Sequence, residues 1–332
     1  MKALVYTGPH ILEVREVEQP RAVTEGDVLI KVEACGICGS DMHAWHGHDE
    51  RRPAPLILGH EAVGTVASGP RAGRRVTINP LVTCQACEHC TAGRENLCAE
   101  RQIISMPPRE GAFAEYLTMP ERNLVDVPDT VTSVQAALAE PLACGWHAIR
   151  LGANALSKPL ETARTLVLGG GAIGLGAALA LSHRGACEIW LAETNEHRHP
   201  ALQAAGDFKL FNPLNGNGPG DASCDLVIDA VGFSTTRASA CRAVKSGGVI
   251  VHIGLGDAAD GLDIRRMTLQ EITFIGTYTY TAADFRDTAS AIFDGSIGSL
   301  DWVDIRPLTE GARAFRDINE GKASSPKIIL EP

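Results

Sequence analysis

One stretch, Thr165 to Leu181, constrains the fold more than any other part of this sequence. It begins with the apolar segment TLVL, continues through a glycine-rich turn with Gly169, Gly171 and Gly174 in the spacing G-x-G-x-x-G, and ends in an apolar helical segment. A strand in which apolar residues follow one another without alternation must be covered on both faces, which is typical of parallel sheets built from β-α-β units. The stretch therefore predicts a doubly wound α/β domain.

The same glycines predict what binds there. Gly169 allows the tight turn, Gly171 lets the backbone approach a pyrophosphate, and Gly174 permits close packing of the helix on the sheet. Ala172 and Ile173 lie at the start of the helix, where free N–H groups and the helix dipole favour an anion. The glycine spacing is a weak signal by itself, but its place between a buried strand and a helix favours a dinucleotide site.

An acidic residue, Glu193, ends the next apolar strand, EIWLAE, 19 positions after Gly174. A carboxylate at this place accepts hydrogen bonds from the adenosine ribose and repels a 2′-phosphate, so we expect NAD rather than NADP. Arg198 follows Glu193 closely and would attract a 2′-phosphate if it faced the same site. We expect it to stack on the adenine or to face solvent instead.

The rest of the chain has a different texture on either side of this domain. Residues 1–145 hold many short alternating strands separated by Gly and Pro, which predicts an antiparallel, barrel-like domain. Residues 146–285 alternate apolar strands with helical segments, and residues 286–332 contain one helical segment and a final strand, KIILEP. We therefore expect an α/β domain together with a β domain.

Composition narrows the possible partners. Of 332 residues 40 are acidic and 30 are basic, a formal net charge of -10, and no Lys/Arg block offsets this surplus. Nucleic acid and anionic membranes are therefore not expected as partners. The N-terminus lacks the apolar core of a signal peptide, and the most apolar stretch is interrupted by five glycines, so we expect a cytoplasmic protein without a membrane span.

Four cysteines, Cys84, Cys87, Cys90 and Cys98, lie within 15 residues of one another. Thiolates separated by two residues can bind one tetrahedral zinc, and the fourth cysteine completes the ligand set. Because four sulfur ligands leave no open position, we expect a structural zinc in the lobe formed by residues 84–98. The alternatives are free or oxidised thiols and an iron–sulfur cluster.

Other residues of the types that bind zinc are scattered along the chain. Cys35 and Cys38 flank Gly-Ile, His60 and Glu61 follow a glycine, and Glu140 precedes a proline. Each is weak evidence alone, because a lone Cys or His is usually a packed or hydrogen-bonded residue without a metal. They gain meaning only together with the four-cysteine lobe and the glycine motif.

In the order CGICGSD, GHE, four-cysteine lobe, EP, GGGAIG and GTYTYT, the sequence resembles the zinc-dependent medium-chain dehydrogenase/reductase superfamily. It is most similar to the polyol branch (sorbitol, idonate, galactitol and threonine dehydrogenase types), which has Glu where classical alcohol dehydrogenases have a second zinc cysteine. The resemblance implies a GroES-like β-barrel catalytic domain over 1–145, a Rossmann NAD-binding domain over 146–285, and a return to the catalytic domain over 286–332. It also implies a homodimer or homotetramer.

The resemblance implies that Cys38 and His60 bind a catalytic zinc, which makes two zinc ions per chain. Glu61 or Glu140 would complete the ligand set, and one of them would exchange with the bound water. Neighbours on a regular strand point to opposite faces, so His60 and Glu61 share a metal only if the backbone departs from a strand there. Glu140 lacks this difficulty, while the alternative for Glu61 is to support another ligand by hydrogen bonding. Cys35 is not needed and is expected to pack in the core.

Ser40 and His43 match the family's proton relay, which would lead the proton of the substrate hydroxyl out of the site. The alternative for His43 is an ordinary surface position in the loop HAWHGHD. Asp41 is expected to accept the second ring N–H of His60. Trp45 is expected to form one wall of the substrate pocket.

The resemblance also implies that Val231, Leu255 and Tyr278 contact the nicotinamide half of the cofactor. Thr279 stands where the polyol branch often has Arg, which removes a donor for an acidic or phosphorylated substrate. We therefore expect the secondary hydroxyl of a neutral polyol to be oxidised to a ketone by hydride transfer to NAD. The alternatives are a threonine or simple secondary-alcohol dehydrogenase and a non-catalytic dinucleotide-binding relative; the full set of zinc-ligand types favours the enzyme.

Overall fold

The first part of the chain consists of short strands joined by tight turns, as its alternation predicts. The computed structural model describes all residues, 1–332. The strands of this part are Lys2–Gly8 (β1), Ile11–Glu16 (β2), Asp27–Gly36 (β3), Leu56–Ile57 (β4), Glu61–Val66 (β5), Arg75–Ile78 (β6), Leu81–Val82 (β7), Gln102–Ile103 (β8), Tyr116–Pro120 (β9) and Leu124–Asp126 (β10). Every pairing among them is antiparallel, and β3 pairs with both β5 and β9.

The middle of the chain forms a six-stranded parallel sheet. Its strands are Arg164–Leu168 (β11), Glu188–Ala192 (β12), Lys209–Phe211 (β13), Cys224–Asp229 (β14), Val244–His252 (β15) and Thr273–Gly276 (β16). They lie in the order β13-β12-β11-β14-β15-β16. This is the doubly wound order 3-2-1-4-5-6, which binds dinucleotides at the carboxyl ends of the strands where the order reverses, here beside β11 and β14.

Ten helices cover and connect the sheets. They are Gly39–Trp45 (α1), Glu88–Thr91 (α2), Ser133–Ala137 (α3), Ala139–Ala155 (α4), Ala172–His183 (α5), His199–Ala205 (α6), Ser234–Ala243 (α7), Ile264–Leu269 (α8), Ala282–Phe293 (α9) and Gly311–Asn319 (α10). Helices α4 and α5 pack closely at Gly145, which has no side chain. A Cβ atom there would lie only 2.5 Å from the backbone N of Ala177. Since Glu140 lies in the first turn of α4, this packing fixes its position relative to the parallel sheet.

The chain then returns to the antiparallel part through Val303–Pro307 (β17) and Lys327–Glu331 (β18). Strand β18 pairs antiparallel with β3, with Ile329 opposite Gly36, and β17 lies parallel to β18. The resulting seven-stranded sheet combines strands from both ends of the chain. This arrangement confirms the α/β plus β fold class, while the boundaries at 145 and 285 stay predictions.

Apolar side chains pack on both faces of the parallel sheet, as its uninterrupted apolar strands predict. One face packs on α4 and α5, and the other on α7. A separate core fills the antiparallel part. None of the helices combines the length and the apolar character that a membrane span requires.

Candidate active site

The glycine-rich turn at the carboxyl end of β11 opens onto a cleft between the two parts of the molecule. Gly169 has a positive φ of 98°, and a Cβ at Gly174 would collide with the carbonyl oxygen of Gly169. Gly171, Ala172, Ile173 and Gly174 line the cleft, and nothing lies within 4 Å of where a Cβ at Gly171 would be. Open space beside the N-terminal N–H groups of α5 fits a dinucleotide pyrophosphate.

Glu193 comes directly after β12 and lies beside two residues of this region, Gly170 of the glycine turn and Arg198 of the cleft lining. Its carboxylate accepts hydrogen bonds from the backbone N–H of Gly170 at 3.1 Å and of Asn195 at 2.7 Å. Arg198 Nη1 lies 3.5 Å from Glu193 Oε2, and Arg198 also lines the cleft. The arginine therefore pairs with Glu193, an arrangement that the sequence did not predict.

The three residues assigned to the nicotinamide half of the cofactor lie in different surroundings. Val231 abuts the glycine turn, since a Cβ at Gly169 would meet its Cγ2 at 2.5 Å. The side chain of Leu255 is exposed, and the ring of Tyr278 lies under the Arg101 guanidinium, 4.8 Å from its carbon. Of the three, Val231 is the one in contact with the glycine turn; all three cofactor contacts stay predictions.

The four cysteines of the lobe come together at one point. Their Sγ atoms all lie within 4.8 Å of one another, with Cys84 3.9 Å from Cys90 and 3.5 Å from Cys98, and none forms a disulfide. Four sulfurs at about 2.3 Å from one tetrahedral zinc are ~3.8 Å apart, so the spacing fits this metal. Hydrogen bonds from the backbone N–H groups of Ala86 and Cys87 lower the pKa of the Cys84 thiol to about 6, while burial raises the pKa of the Cys90 thiol to about 12. Cys84 therefore forms the thiolate that zinc binds more readily than Cys90 does.

A second group forms where β3 and β5 approach each other. The ligand atoms of Cys38, His60 and Glu61 lie within 4.8 Å of one another. Gly59 has a φ of 92°, and β5 begins only at Glu61. The left-handed residue interrupts the strand, so that His60 and Glu61 face one point, which is the departure from strand geometry that a shared metal requires. Cys35 is fully buried and belongs to the core.

Asp41 lies behind this second group and is fully buried. Its carboxylate accepts hydrogen bonds from the backbone N–H of Cys38 at 3.0 Å and of Gly59 at 3.2 Å. His60 Nδ1 lies 3.5 Å from Asp41 Oδ1, beyond hydrogen-bond contact, and has no other partner. Burial lowers the pKa of His60, but Asp41 and Cys38 outweigh it and raise that pKa well above its usual value. Asp41 therefore acts on this group through the backbone of two turns and through its charge.

Glu61 is held by a residue that sequence reasoning missed. Lys327 Nζ, on β18, lies 2.7 Å from both carboxylate oxygens of Glu61 and donates to the carbonyl oxygen of Ile37 at 2.8 Å. Burial lowers the pKa of Lys327, but the charges of Glu61 and Cys38 outweigh it and raise that pKa. The protonated lysine thus neutralises Glu61. The sole signal in the sequence was a lysine at the start of an otherwise apolar strand, 266 positions from its partner.

Glu140 is near this group but not part of it. Its Oε1 accepts a hydrogen bond from the Tyr280 hydroxyl at 2.7 Å, and both residues are buried. Burial raises the pKa of Glu140 to about 7. The three ligand atoms that lie together are those of Cys38, His60 and Glu61. Of the two glutamates, Glu61 therefore lies with the cysteine and the histidine, whereas Glu140 is hydrogen-bonded to Tyr280.

The two relay candidates lie on α1, one helical turn apart and so on the same face. No hydrogen bond joins Ser40 to His43; Ser40 Oγ accepts instead from Arg52 Nη2 at 3.4 Å. Trp45, at the end of the same helix, is 4% exposed and packs against Phe315 in the core. Trp45 is not among the residues that line the cleft with Cys38 and Gly171, because α1 directs its side chain into the core. Its place in the substrate pocket stays a prediction.

Comparison with known proteins agrees with this geometry. The model of the alcohol dehydrogenase GroES-like domain matches residues 24–129, and that of the zinc-binding dehydrogenase matches residues 172–294. L-galactonate-5-dehydrogenase of Escherichia coli is 30% identical over 310 residues, which cover 90% of this chain and 88% of that protein. The protein named Probable D-xylulose reductase A of Aspergillus clavatus is 28% identical over 345 residues, covering 96% and 94%. The structure of L-idonate 5-dehydrogenase from Escherichia coli aligns with a TM-score of 0.86 at 25% identity, covering 100% and 98% of the two chains.

The chain belongs to the zinc-dependent medium-chain dehydrogenase/reductase superfamily and to its polyol dehydrogenase branch. This confirms the resemblance seen in the sequence, with its GroES-like and Rossmann architecture. The protein is thus an oxidoreductase rather than a non-catalytic relative, and zinc and a nicotinamide dinucleotide are its cofactors.

Proposed function

We propose that this dehydrogenase oxidises a secondary hydroxyl of a polyol or sugar-derived substrate to a ketone, with hydride transfer to NAD. One observation carries the proposal: Cys38, from the Cys38, His60 and Glu61 group, lines the same cleft as the glycine turn at Gly171. A substrate between them would therefore meet both the metal ligands and the cofactor. The similarity to proteins named for D-xylulose and L-galactonate supports a polyhydroxy substrate.

Three side chains would hold the catalytic zinc, and the donor set supports this role. Cys38, His60 and Glu61 supply sulfur, nitrogen and oxygen and leave one position for substrate, as in catalytic rather than structural zinc sites. The four cysteines of the lobe would hold the second zinc. When bound, zinc would act as a Lewis acid on the substrate oxygen, and the nicotinamide would accept the hydride.

The protein itself would handle the proton. The substrate hydroxyl would give its proton to Ser40 Oγ, which would pass its own proton toward His43 on the next turn of α1. Asp41 would keep Cys38 and His60 in place through its hydrogen bonds to the backbone of Cys38 and Gly59. Lys327 would balance the charge of Glu61 whenever the carboxylate is released by the metal.

NAD is proposed as the cofactor because of Glu193. Glu193 follows β12 directly and contacts Arg198, which lines the cleft; its carboxylate would accept hydrogen bonds from the adenosine ribose and repel a 2′-phosphate. Arg198 is engaged by Glu193 at 3.5 Å, which reduces its capacity to bind such a phosphate.

A neutral polyol is favoured over an acidic substrate because Thr279 replaces the arginine common in this branch. Steady-state oxidation of galactitol, sorbitol, xylitol, threonine and simple secondary alcohols with NAD tests whether a polyol is the substrate. Turnover of one or more polyols at the highest kcat/KM supports the proposal. Inert polyols beside rapid turnover of threonine or a simple alcohol would contradict it.

We also propose that the enzyme is a cytoplasmic homodimer or homotetramer, as its family resemblance implies. Light scattering on the purified protein measures its mass in solution. A particle of the mass of one chain, 35.2 kDa, would contradict the oligomer.

A further inference from the structure

A buried arginine lies beside the relay serine, and neither the metal nor the cofactor groups use it. Arg52 lies in the connection between α1 and β4, and its side chain is 2% exposed. Its Nη1 is 2.6 Å from Asp49 Oδ2 and donates to the backbone carbonyl of Ser40 at 3.3 Å. Its Nη2 donates to Ser40 Oγ at 3.4 Å, and its Nε to the carbonyl oxygen of Ser105 at 3.1 Å. One guanidinium thus joins three segments of the chain.

Neutralising Asp49 does not require this burial. The neighbouring Arg51 also pairs with Asp49, at 2.8 Å, while its side chain remains 60% exposed and touches neither serine. Burying a second guanidinium costs free energy unless its donors are satisfied. The hydrogen bonds that Arg52 makes beyond Asp49 all go to Ser40 and Ser105, so its burial serves these two residues.

The contacts with Ser40 restrict how its hydroxyl can act. A hydroxyl has one donor hydrogen and two acceptor lone pairs. Arg52 donates to both the carbonyl and the Oγ of the same residue, at 3.3 and 3.4 Å, which restrains the side-chain rotamer as well as the backbone. Because Arg52 occupies one lone pair of Oγ, the other is left for the substrate proton, and the hydrogen of Ser40 is left for the next acceptor.

We propose that Arg52 is a positioning residue for proton transfer through Ser40. The proposal rests on the relay role of Ser40 in the proposed function. In the step that it assists, the substrate O–H bond breaks, a new bond forms between that proton and Oγ, and the original Ser40 proton leaves toward His43 or solvent. The loss of Arg52 would let the hydroxyl rotate and lower the fraction of complexes ready to transfer the proton.

A double-mutant cycle tests the proposal, with kcat measured at saturating NAD on the polyol that is turned over fastest in the panel above. We expect Ser40→Ala to lower kcat about a hundredfold and Arg52→Gln to lower it about tenfold, as for coupled residues in contact. In the Ser40→Ala background, Arg52→Gln should lower kcat by less than about twofold, because its target is gone. Arg51→Gln is the matched control, since it removes the other partner of Asp49 and should leave kcat unchanged.

Zinc content and NADH affinity by fluorescence are measured on each variant and should match the wild type, and the melting temperature verifies that each variant is folded at the assay temperature. If Arg52→Gln does not fold, Arg52→Lys replaces it, because one ammonium cannot make all the contacts of a planar fork. An equal loss of kcat in the wild-type and Ser40→Ala backgrounds would overturn the role of Arg52. A wild-type kcat in Ser40→Ala alone would instead overturn the proposed relay.

Discussion

Two groups of candidate zinc ligands in this molecule are built in opposite ways. The four cysteines of residues 84–98 come from one short segment, and only Cys98 among them is buried. Cys38, His60 and Glu61 come from two strand ends, and a third segment contributes Lys327 from β18. The first group is formed within one short segment. The second is brought together by the packing of the barrel strands, and its carboxylate, that of Glu61, also binds Lys327.

Because of this difference, the two groups are expected to have different roles, one in stability and one in catalysis. Four thiolates around one metal leave no place for a substrate. A metal in the lobe would therefore stabilise the fold and take no part in catalysis. The second group offers three candidate ligands, which would leave one position open for substrate, and its Cys38 lines the cleft of the glycine turn. Loss of the first metal should therefore cost folding, and loss of the second should cost catalysis.

The largest effect is expected in the lobe. Cys87→Ser should lose the lobe zinc and destabilise the protein by several kcal/mol or more, because binding of a structural zinc contributes on the order of 10 kcal/mol. Melting temperature, soluble yield and zinc content measure this. Cys187→Ser changes an exposed cysteine outside both groups and serves as control. A Cys87→Ser protein with two zinc ions and an unchanged melting temperature would contradict the structural role of the lobe.

The next largest effect, on catalysis, is expected at Cys38 in the group of Cys38, His60 and Glu61. Cys38→Ser should give folded protein with one zinc per chain and a kcat lowered by at least about a thousandfold, because the Lewis acid would be lost. Circular dichroism and metal analysis establish the folding and the zinc content. Cys35→Ala, three positions away and buried in the core, should keep most of the activity. Full activity in Cys38→Ser would remove this residue from the site.

The two glutamates should differ in zinc affinity. Glu61→Gln should weaken binding of the catalytic zinc by more than about a hundredfold, beyond the roughly 10- to 100-fold that loss of a residue supporting a ligand costs. Glu140→Gln should change it less than about threefold, since Glu140 is bound to Tyr280 instead. Competition with a chromogenic chelator measures both affinities. The reverse ranking would assign Glu140 as the resting ligand.

The smallest effect concerns the cofactor, at the other side of the cleft. Glu193→Ala should narrow the preference for NAD over NADP about tenfold, because it removes a charged hydrogen-bond acceptor and its repulsion of a 2′-phosphate. The ratio of kcat/KM for the two cofactors measures this. Better use of NADP by the wild type would mean that Arg198 governs the choice.

Features contained in one stretch of sequence were predictable. The glycine turn between strand and helix indicated the parallel sheet, and the spacing of Cys84 to Cys98 indicated one converging group, because both depend on neighbours along the chain. The chain's return to the barrel through β18 followed from the family resemblance.

Features that depend on contacts between distant segments were not predictable. Lys327 reaches Glu61 only because β18 pairs with β3, and no local pattern marks either residue as a partner. Whether Glu61 can join His60 depends on the positive φ of Gly59, which a glycine permits but does not require. The inward direction of Trp45 depends likewise on how α1 packs against the barrel.

Stepwise removal of zinc from the wild-type enzyme tests the difference between the two groups most directly. A chelator of moderate strength is added, released zinc is measured by a metallochromic dye, and activity and circular dichroism are followed in parallel. We predict that one zinc per chain leaves together with the activity while the fold is kept, that added zinc restores activity, and that the second zinc leaves only on unfolding. Release of both ions in one step together with unfolding, or the presence of a single zinc in the active enzyme, would contradict the assignment of one structural and one catalytic zinc.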